Sequence, residues 1–254
     1  MRGFNKFLLL SLIGLTVAGA TAIAAFHSRG KGTAQTGQPQ KSREMTDFEN
    51  KFPIADADEP EPTDLKEREN RQARGRKYDK DKSGLAIDPY SDVVTTSSHW
   101  ATGLPAIPVE QSAAIVVGSI SNARAHLSSN KKKVYSEFTV KVEEVLKNDK
   151  DDSIQRGCLI DVDRVGGRVR FQNGKIGLYW VTGQGMPSVG GRYLLFLSQT
   201  DEDPSFSMLI GYELRDGSVF LLDNPGGGHP ITRYQGADEA ALLRDVRTTV
   251  NKNP

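Results

Sequence analysis

The run 134–147 (VYSEFTVKVEEVLK) constrains the fold most, because it keeps a two-residue period and then changes phase. Phe138, Val140 and Val142 share one face of an extended strand, and Val145 falls on the other. In a β-strand successive side chains point to opposite faces. Without an inserted residue, either Val145 faces water or Glu144 enters the core, and an unpaired buried carboxylate is strongly unfavourable. The pattern therefore predicts a β-bulge at Glu143-Glu144 that bends the strand. A long bent strand is a device by which small sheets turn corners.

The rest of 112–222 reads the same way. Residues 112–120 form a dense β-branched run, as expected of a buried strand. Residues 158–162 predict a third strand, closed by Gly166-Gly167. Segments 168–171 and 176–181 flank Asn173-Gly174, the signature of a tight hairpin. Residues 193–197 are apolar on both faces and so belong in the middle of a sheet. Segments 206–214 and 219–222, split by Asp216-Gly217, form a last hairpin. Only 238–250 carries a helical apolar stripe, made by Leu242, Leu243, Val246 and Val250. Many short strands followed by one helix predict a mainly β domain, a small barrel or sandwich over 112–236, with a C-terminal helix and tail at 237–254.

The apolar strand pattern is absent upstream. Residues 7–26 are apolar and follow Arg2 and Lys6, with Ala-x-Ala spacing at Ala20, Ala22 and Ala24. This is the pattern of a secretory signal, and at about 20 residues it is also long enough to stay as a single membrane anchor. Positive charge on its N-terminal side places the remainder outside the cytoplasm. Residues 27–85 hold few aliphatic side chains and predict a disordered linker. Within it, 63–71 has acid–base pairs at helical spacing but no apolar face to dock. Asp79, Asp81 and Ser83, followed by Gly84, match the first half of a calcium loop. Position twelve is Tyr90 rather than a bidentate Glu, so the ligand set is incomplete. Residues 86–111, with Trp100, Leu104, Ile107 and Val109 among prolines, predict an extended lead-in laid on the domain surface.

Three segments, Gly118-Ser-Ile, 138–147 and 189–197, resemble the netrin-like and tissue-inhibitor-of-metalloprotease-like OB barrels over roughly residues 112–214. The chain is also similar to exported bacterial proteins of unknown function. The resemblance implies an OB-like barrel that presents one face and its loops to a partner. Those inhibitors chelate zinc through an N-terminal cysteine and are held by disulfides. Here Cys158 is the sole cysteine, so neither property carries over.

The chemistry-bearing residues are few. Cys158 opens an alternating strand and is expected to be a buried thiol. Asp161 and Asp163 share the polar face of that strand and are expected to meet solvent. His99, His126 and His229 are far apart with no metal-ligand spacing, so no metal or other cofactor is implied. His229 follows a triple glycine. The net charge of +1 selects no nucleic acid. The expected surfaces are the loop 122–133, with Arg124, His126, Lys131, Lys132 and Lys133, then the loop 183–191, and His229. These point to a non-catalytic module that binds a protein or envelope component. The alternative is a small extracytoplasmic hydrolase using His229 or His126.

Overall fold

The computed structural model describes residues 47–80, 86–96, 101, 103–149, 154–200 and 203–252. The apolar stretch 7–26, His99, Trp100 and Asp81–Gly84 of the half-calcium motif lie outside the described residues.

The chain is mainly β with a C-terminal helix. In chain order the elements are β1 (Ile54–Asp56), α1 (Leu65–Asp79), β2 (Val93–Thr96), β3 (Ala114–Leu127), β4 (Val134–Asn148), β5 (Leu159–Val165), β6 (Gly167–Arg170), β7 (Ile176–Val181), β8 (Arg192–Thr200), β9 (Asp203–Arg215), β10 (Ser218–Leu221), a 3₁₀ turn (Pro230–Tyr234) and α2 (Glu239–Lys252).

Five strands close on themselves. β3 pairs antiparallel with β4 and with β8, β4 with β5, and β8 with β9. β5 then runs parallel to β9 through Val162 and Asp163, which completes the circuit. β10 extends it from β9. The turn there places Asp216 and Gly217 at φ 52° and 73°, left-handed values that a two-residue hairpin of this hand requires. A second, smaller sheet has the order β1-β6-β7-β2, with both outer strands parallel to their neighbours.

The phase break in β4 is a bulge at the expected place. Gly118 pairs with Val142 and Val117 with Glu144, so Glu143 is the inserted residue. A second insertion follows at Leu146, between the pairs Val116–Val145 and Ile115–Lys147. A third, Ser121, sits on β3. The consequence is the one the pattern demands: Phe138, Val140 and Val142 enter one core cluster and Val145 packs against it, while Leu146 joins the cluster on the other side.

The two clusters share strands. Val116, Ile120, Leu195 and Leu197 line the interior of the closed sheet. Ile115, Val117, Leu194 and Phe196 point outward under α2, where they meet Leu242, Leu243 and Val246. This is why 193–197 is apolar on both faces: β8 is central and covered on both sides. A fully buried ion pair pins the interior. Arg164 Nη1 and Nη2 donate to Asp223 Oδ1 and Oδ2 at 2.8 and 3.1 Å, and both side chains have no solvent exposure. Asp223 also accepts the backbone N–H groups of Gly185 and Gly211, so its charge is well satisfied.

Several expectations need correction. The linker expected over 27–85 contains folded structure from residue 47. Phe52 and Ala55 are buried, β1 pairs with β6, and α1 is a docked helix of 15 residues. The lead-in 86–111 contributes β2, and Leu104, Ile107 and Val109 pack beside the α2 cluster. β3 runs to Leu127 rather than ending near residue 120, so half of the expected loop 122–133 is strand. The 183–191 loop is partly interior: a Cβ on Gly185 would lie 1.9 Å from the Leu222 carbonyl oxygen. Cys158 is half-buried against the inner cluster rather than fully inside it.

A polar cleft roofed by helix α1

Helix α1 forms because its ends are capped and its charges suit the helix dipole. Asp64 accepts the Glu67 backbone N–H at 2.8 Å, Glu67 lies in the first turn, and Arg76 and Lys77 lie in the last. It has almost no apolar face. It docks on the outer face of β3, β4 and β5 through polar contacts and one aromatic stack.

The central contact is Asp163. Its carboxylate is 1% exposed and accepts hydrogen bonds from Tyr78 Oη at 2.6 Å, from Lys77 Nζ at 2.9 Å and from Ser205 Oγ at 3.0 Å. Asp163 therefore does not face solvent as its alternating position suggests, because the helix covers that face. One turn earlier Arg74 pairs with Glu137 on β4 and with Asp161 on β5. Tyr78 stacks on Tyr135 with ring centroids 4.5 Å apart. Gly75 permits the close approach: a Cβ there would stand 2.6 Å from Ser129 Oγ. Asp79 then accepts the Asn130 backbone N–H at 3.0 Å, which ties the helix end to the β3–β4 turn.

The first turns of the helix and the sheet face border an open cleft of about 420 Å³. Its floor carries Asn122, Arg124 and His126 from β3, Glu137 and Thr139 from β4, and Asp161 from β5. Its roof carries Asp64, Lys66, Glu67, Asn70, Arg71 and Arg74 from α1. No lining side chain is aliphatic or aromatic apart from the imidazole. A smaller cavity of about 230 Å³ adjoins it across Arg71 and includes Glu59, Arg76 and Lys131.

His126 is the unusual member. It is 8% exposed, and its Nδ1 is buried with no hydrogen-bond partner among the described residues. Its pKa is lowered to about 4, first by burial and then by the positive charges of Arg71, Arg74 and Arg124. The imidazole is thus neutral at physiological pH. The nearest acid is Glu59, whose Oε2 lies 4.0 Å from Nδ1 and 2.5 Å from Arg71 Nη2.

Of the residues singled out in the sequence, the structure brings Arg124 and His126 together in the larger cleft and places Lys131 at the edge of the smaller one. Lys132 and Lys133 line neither of these two clefts, and their backbone groups hold the chain locally. Lys132 O accepts the Ile87 N–H, and the Lys133 N–H donates to Ser128 Oγ. His229 is on the other side of the fold, next to the 3₁₀ turn. Its Nδ1 accepts from the Ile231 N–H at 3.4 Å, and its Nε2 lies 2.9 Å from the Ala101 carbonyl oxygen. An Nε2–H tautomer satisfies both contacts, so this histidine caps one segment and tethers another. Neither imidazole receives a hydrogen bond from a serine hydroxyl or from Cys158 among the described residues. A nucleophile–base pair is the geometry that hydrolysis through a covalent serine or cysteine intermediate would need. Among the described residues no three His, Cys, Asp or Glu side chains gather as a metal-ligand set.

Glu59, Arg71, Arg74 and Lys77, with most of the other charged groups of this site, lie in the segment that composition marks as linker. The one local signal was the glycine at position 75 three residues before Tyr78, inside an otherwise helical run. No protein-family model matches this chain, and no curated protein matches it in sequence.

Proposed function

We propose that this chain is an exported, non-catalytic binding module in which the roofed cleft on β3, β4 and β5 receives the ligand. The observation that carries this is a polar cleft whose exposed edge carries Asn70, Asn122 and Arg124 and whose wall includes the buried imidazole of His126, with its Nδ1 unpartnered among the described residues. A buried imidazole nitrogen left unpaired costs folding free energy, and a polar cleft of this size suits recognition of a small polar ligand.

The circuit β3-β4-β5-β9-β8, with one parallel pair, supports an OB-like barrel. In that architecture the strand face now under α1 is the one that meets ligands. This is a fold analogy and bears on location more than on chemistry. The charged start and apolar stretch 7–26 support export, and so an envelope or extracellular partner.

The test is site-specific photo-crosslinking in the producing cell. A photoreactive residue at position 122 should give a discrete adduct that disappears with Arg124→Glu in the same chain. The same probe at Gln235, beside the 3₁₀ turn, should give none. Equal adducts at both positions, or none at 122, would refute the assignment of this face.

A further inference from the structure

Helix α1 is fastened to the core on either side of itself and not through its own body. Before it, Ala55 of β1 is buried in a hydrophobic cluster with Val169, Tyr179 and Val181, and Ala57 packs against that cluster. After it, Ile87 and Val94 pack on the same cluster. Among the described residues no α1 side chain belongs to any of the three hydrophobic clusters. Apart from the Tyr78–Tyr135 stack, the helix is held by polar contacts. Arg74 pairs with Glu137 and Asp161, Lys77 and Tyr78 donate to Asp163, Ser129 Oγ donates to the Gln72 carbonyl oxygen, and the Asn130 N–H donates to Asp79. Segments with few buried apolar contacts are the ones that open while the rest of a fold stays intact.

His126 lies at the seam between this helix and the sheet. Its ring centroid is 5.6 Å from that of Tyr135, the ring that carries the stack with Tyr78. The groups around it are Glu59 from the connector, Arg71 and Arg74 from α1, Arg124 from its own strand, the Tyr135 phenol and Glu137 from β4, and Asp161 from β5. Asp64, Lys66 and Glu67 of α1 line the same cleft.

We propose that α1 is an acid-released strap: a proton on His126 frees the helix from β3, β4 and β5 while the closed sheet stays folded. The release does not depend on the binding reading. Its consequence for a ligand, loss of one wall of the cleft, does rest on that reading. A protonated ring adds a positive charge beside Arg71, Arg74 and Arg124, and two of those three leave with the helix. Glu59 does not offset the new charge. Its Oε2 stands 4.0 Å from Nδ1 and pairs with Arg71, so turning to the ring would strip Arg71 of that partner. Release returns the ring to water, where the charged form is solvated. The covered ring takes its proton only near pH 4, against 6.5 in water. Docking is therefore fully supported above pH 6.5 and loses that support as pH falls to about 4.

The experiment is amide hydrogen exchange of the full chain, corrected for the intrinsic pH dependence of exchange. Between about pH 7.5 and about pH 4.5 the protection of 65–79 should fall roughly 70-fold, the ratio for a ring that titrates at 6.5 when released and at about 4 when covered. At the lower pH the amides of β3 and β8 should remain at least about a hundredfold better protected than those of 65–79, as an opening confined to the helix requires. His126→Phe keeps an aromatic ring against Tyr135 and takes no proton, so it should remove most of the fall. A fall in His126→Phe as large as in the parent overturns the proposal, and so does a loss that brings β3, β8 and 65–79 to one common level. The ring's own titration in the parent, followed by its proton resonances, needs no variant. A ring that titrates near 6.5 while 65–79 stay protected refutes the strap.

Discussion

Tyr78 lies flat on Tyr135, their rings 9° from parallel, while its hydroxyl donates to the buried carboxylate of Asp163. One side chain thus supplies both the apolar and the polar anchor of a helix that has no hydrophobic face of its own. Tyr78→Phe keeps the stack and removes a hydrogen bond to a charged group, which should cost about 1.5–3 kcal/mol. Tyr78→Ala removes both and should release α1. Hydrogen exchange would then show amides of 65–79 losing protection while those of β3 and β8 keep theirs. Uniform loss across the molecule would mean that α1 and the closed sheet unfold as one unit.

The pair Arg164–Asp223 should behave as a buried ion pair does. Asp223→Asn or Arg164→Met alone leaves an uncompensated partner and should cost about 3–5 kcal/mol in urea unfolding. The double variant should cost clearly less than the sum of the two. It should still fall short of the parent, because an amide in place of the carboxylate keeps one acceptor oxygen where Gly185 and Gly211 N–H had two. Additive losses would show that the two side chains act independently.

The bulge at Glu143 makes a sharp prediction. Deleting either member of the Glu143-Glu144 pair gives the same chain, in which Val142 and Val145 share a face by plain alternation and β4 loses the inserted residue that bends it into the closed sheet. That chain should fail to give a cooperative thermal melt. Glu144→Lys should melt nearly like the parent, because it breaks only a surface ion pair with Arg247 at 2.7 Å, worth less than about 1 kcal/mol. A cooperative parent-like melt for the deletion would show that the inserted residue is dispensable.

His126 should impose an acid limit on stability. Its folded pKa of about 4 lies below the unfolded value of 6.5, so the unfolded chain binds the extra proton more readily. The contribution is fully present above pH 6.5 and is lost as pH falls through the window from 6.5 to about 4. The charged groups facing the ring are Glu59, Arg71, Arg74, Arg124, Glu137 and Asp161. His126→Asn should flatten the stability profile across that window relative to the parent. An unchanged slope would show that the ring titrates normally.

Export is testable without the folded domain. Residues 1–60 fused to a phosphatase active only outside the cytoplasm should give reporter activity. Good expression with no activity would refute the compartment.

Local rules were enough wherever a side chain's fate depends on its own strand or helix. The bulge at 143–144, the central position of 193–197, the Asn173-Gly174 hairpin and the stripe of α2 follow from periodicity and turn chemistry, because burial on one face sets which residues alternate. The site followed different physics. α1 carries no hydrophobic stripe, so within 65–79 only Gly75, three residues before Tyr78, hints that it docks. Its partners Glu137, Asp161 and Asp163 lie on strands far along the chain, and each looks like a solvated residue in its own segment. Only the closure of β3, β4 and β5 into one face brings these acids under Arg74, Lys77 and Tyr78. That same packing turns His126 from an ordinary strand residue into a buried imidazole beside three arginines. Charge pairing across a hundred residues leaves no period in a sequence, whereas hydrophobic burial does, and that is why the core was readable and the cleft was not.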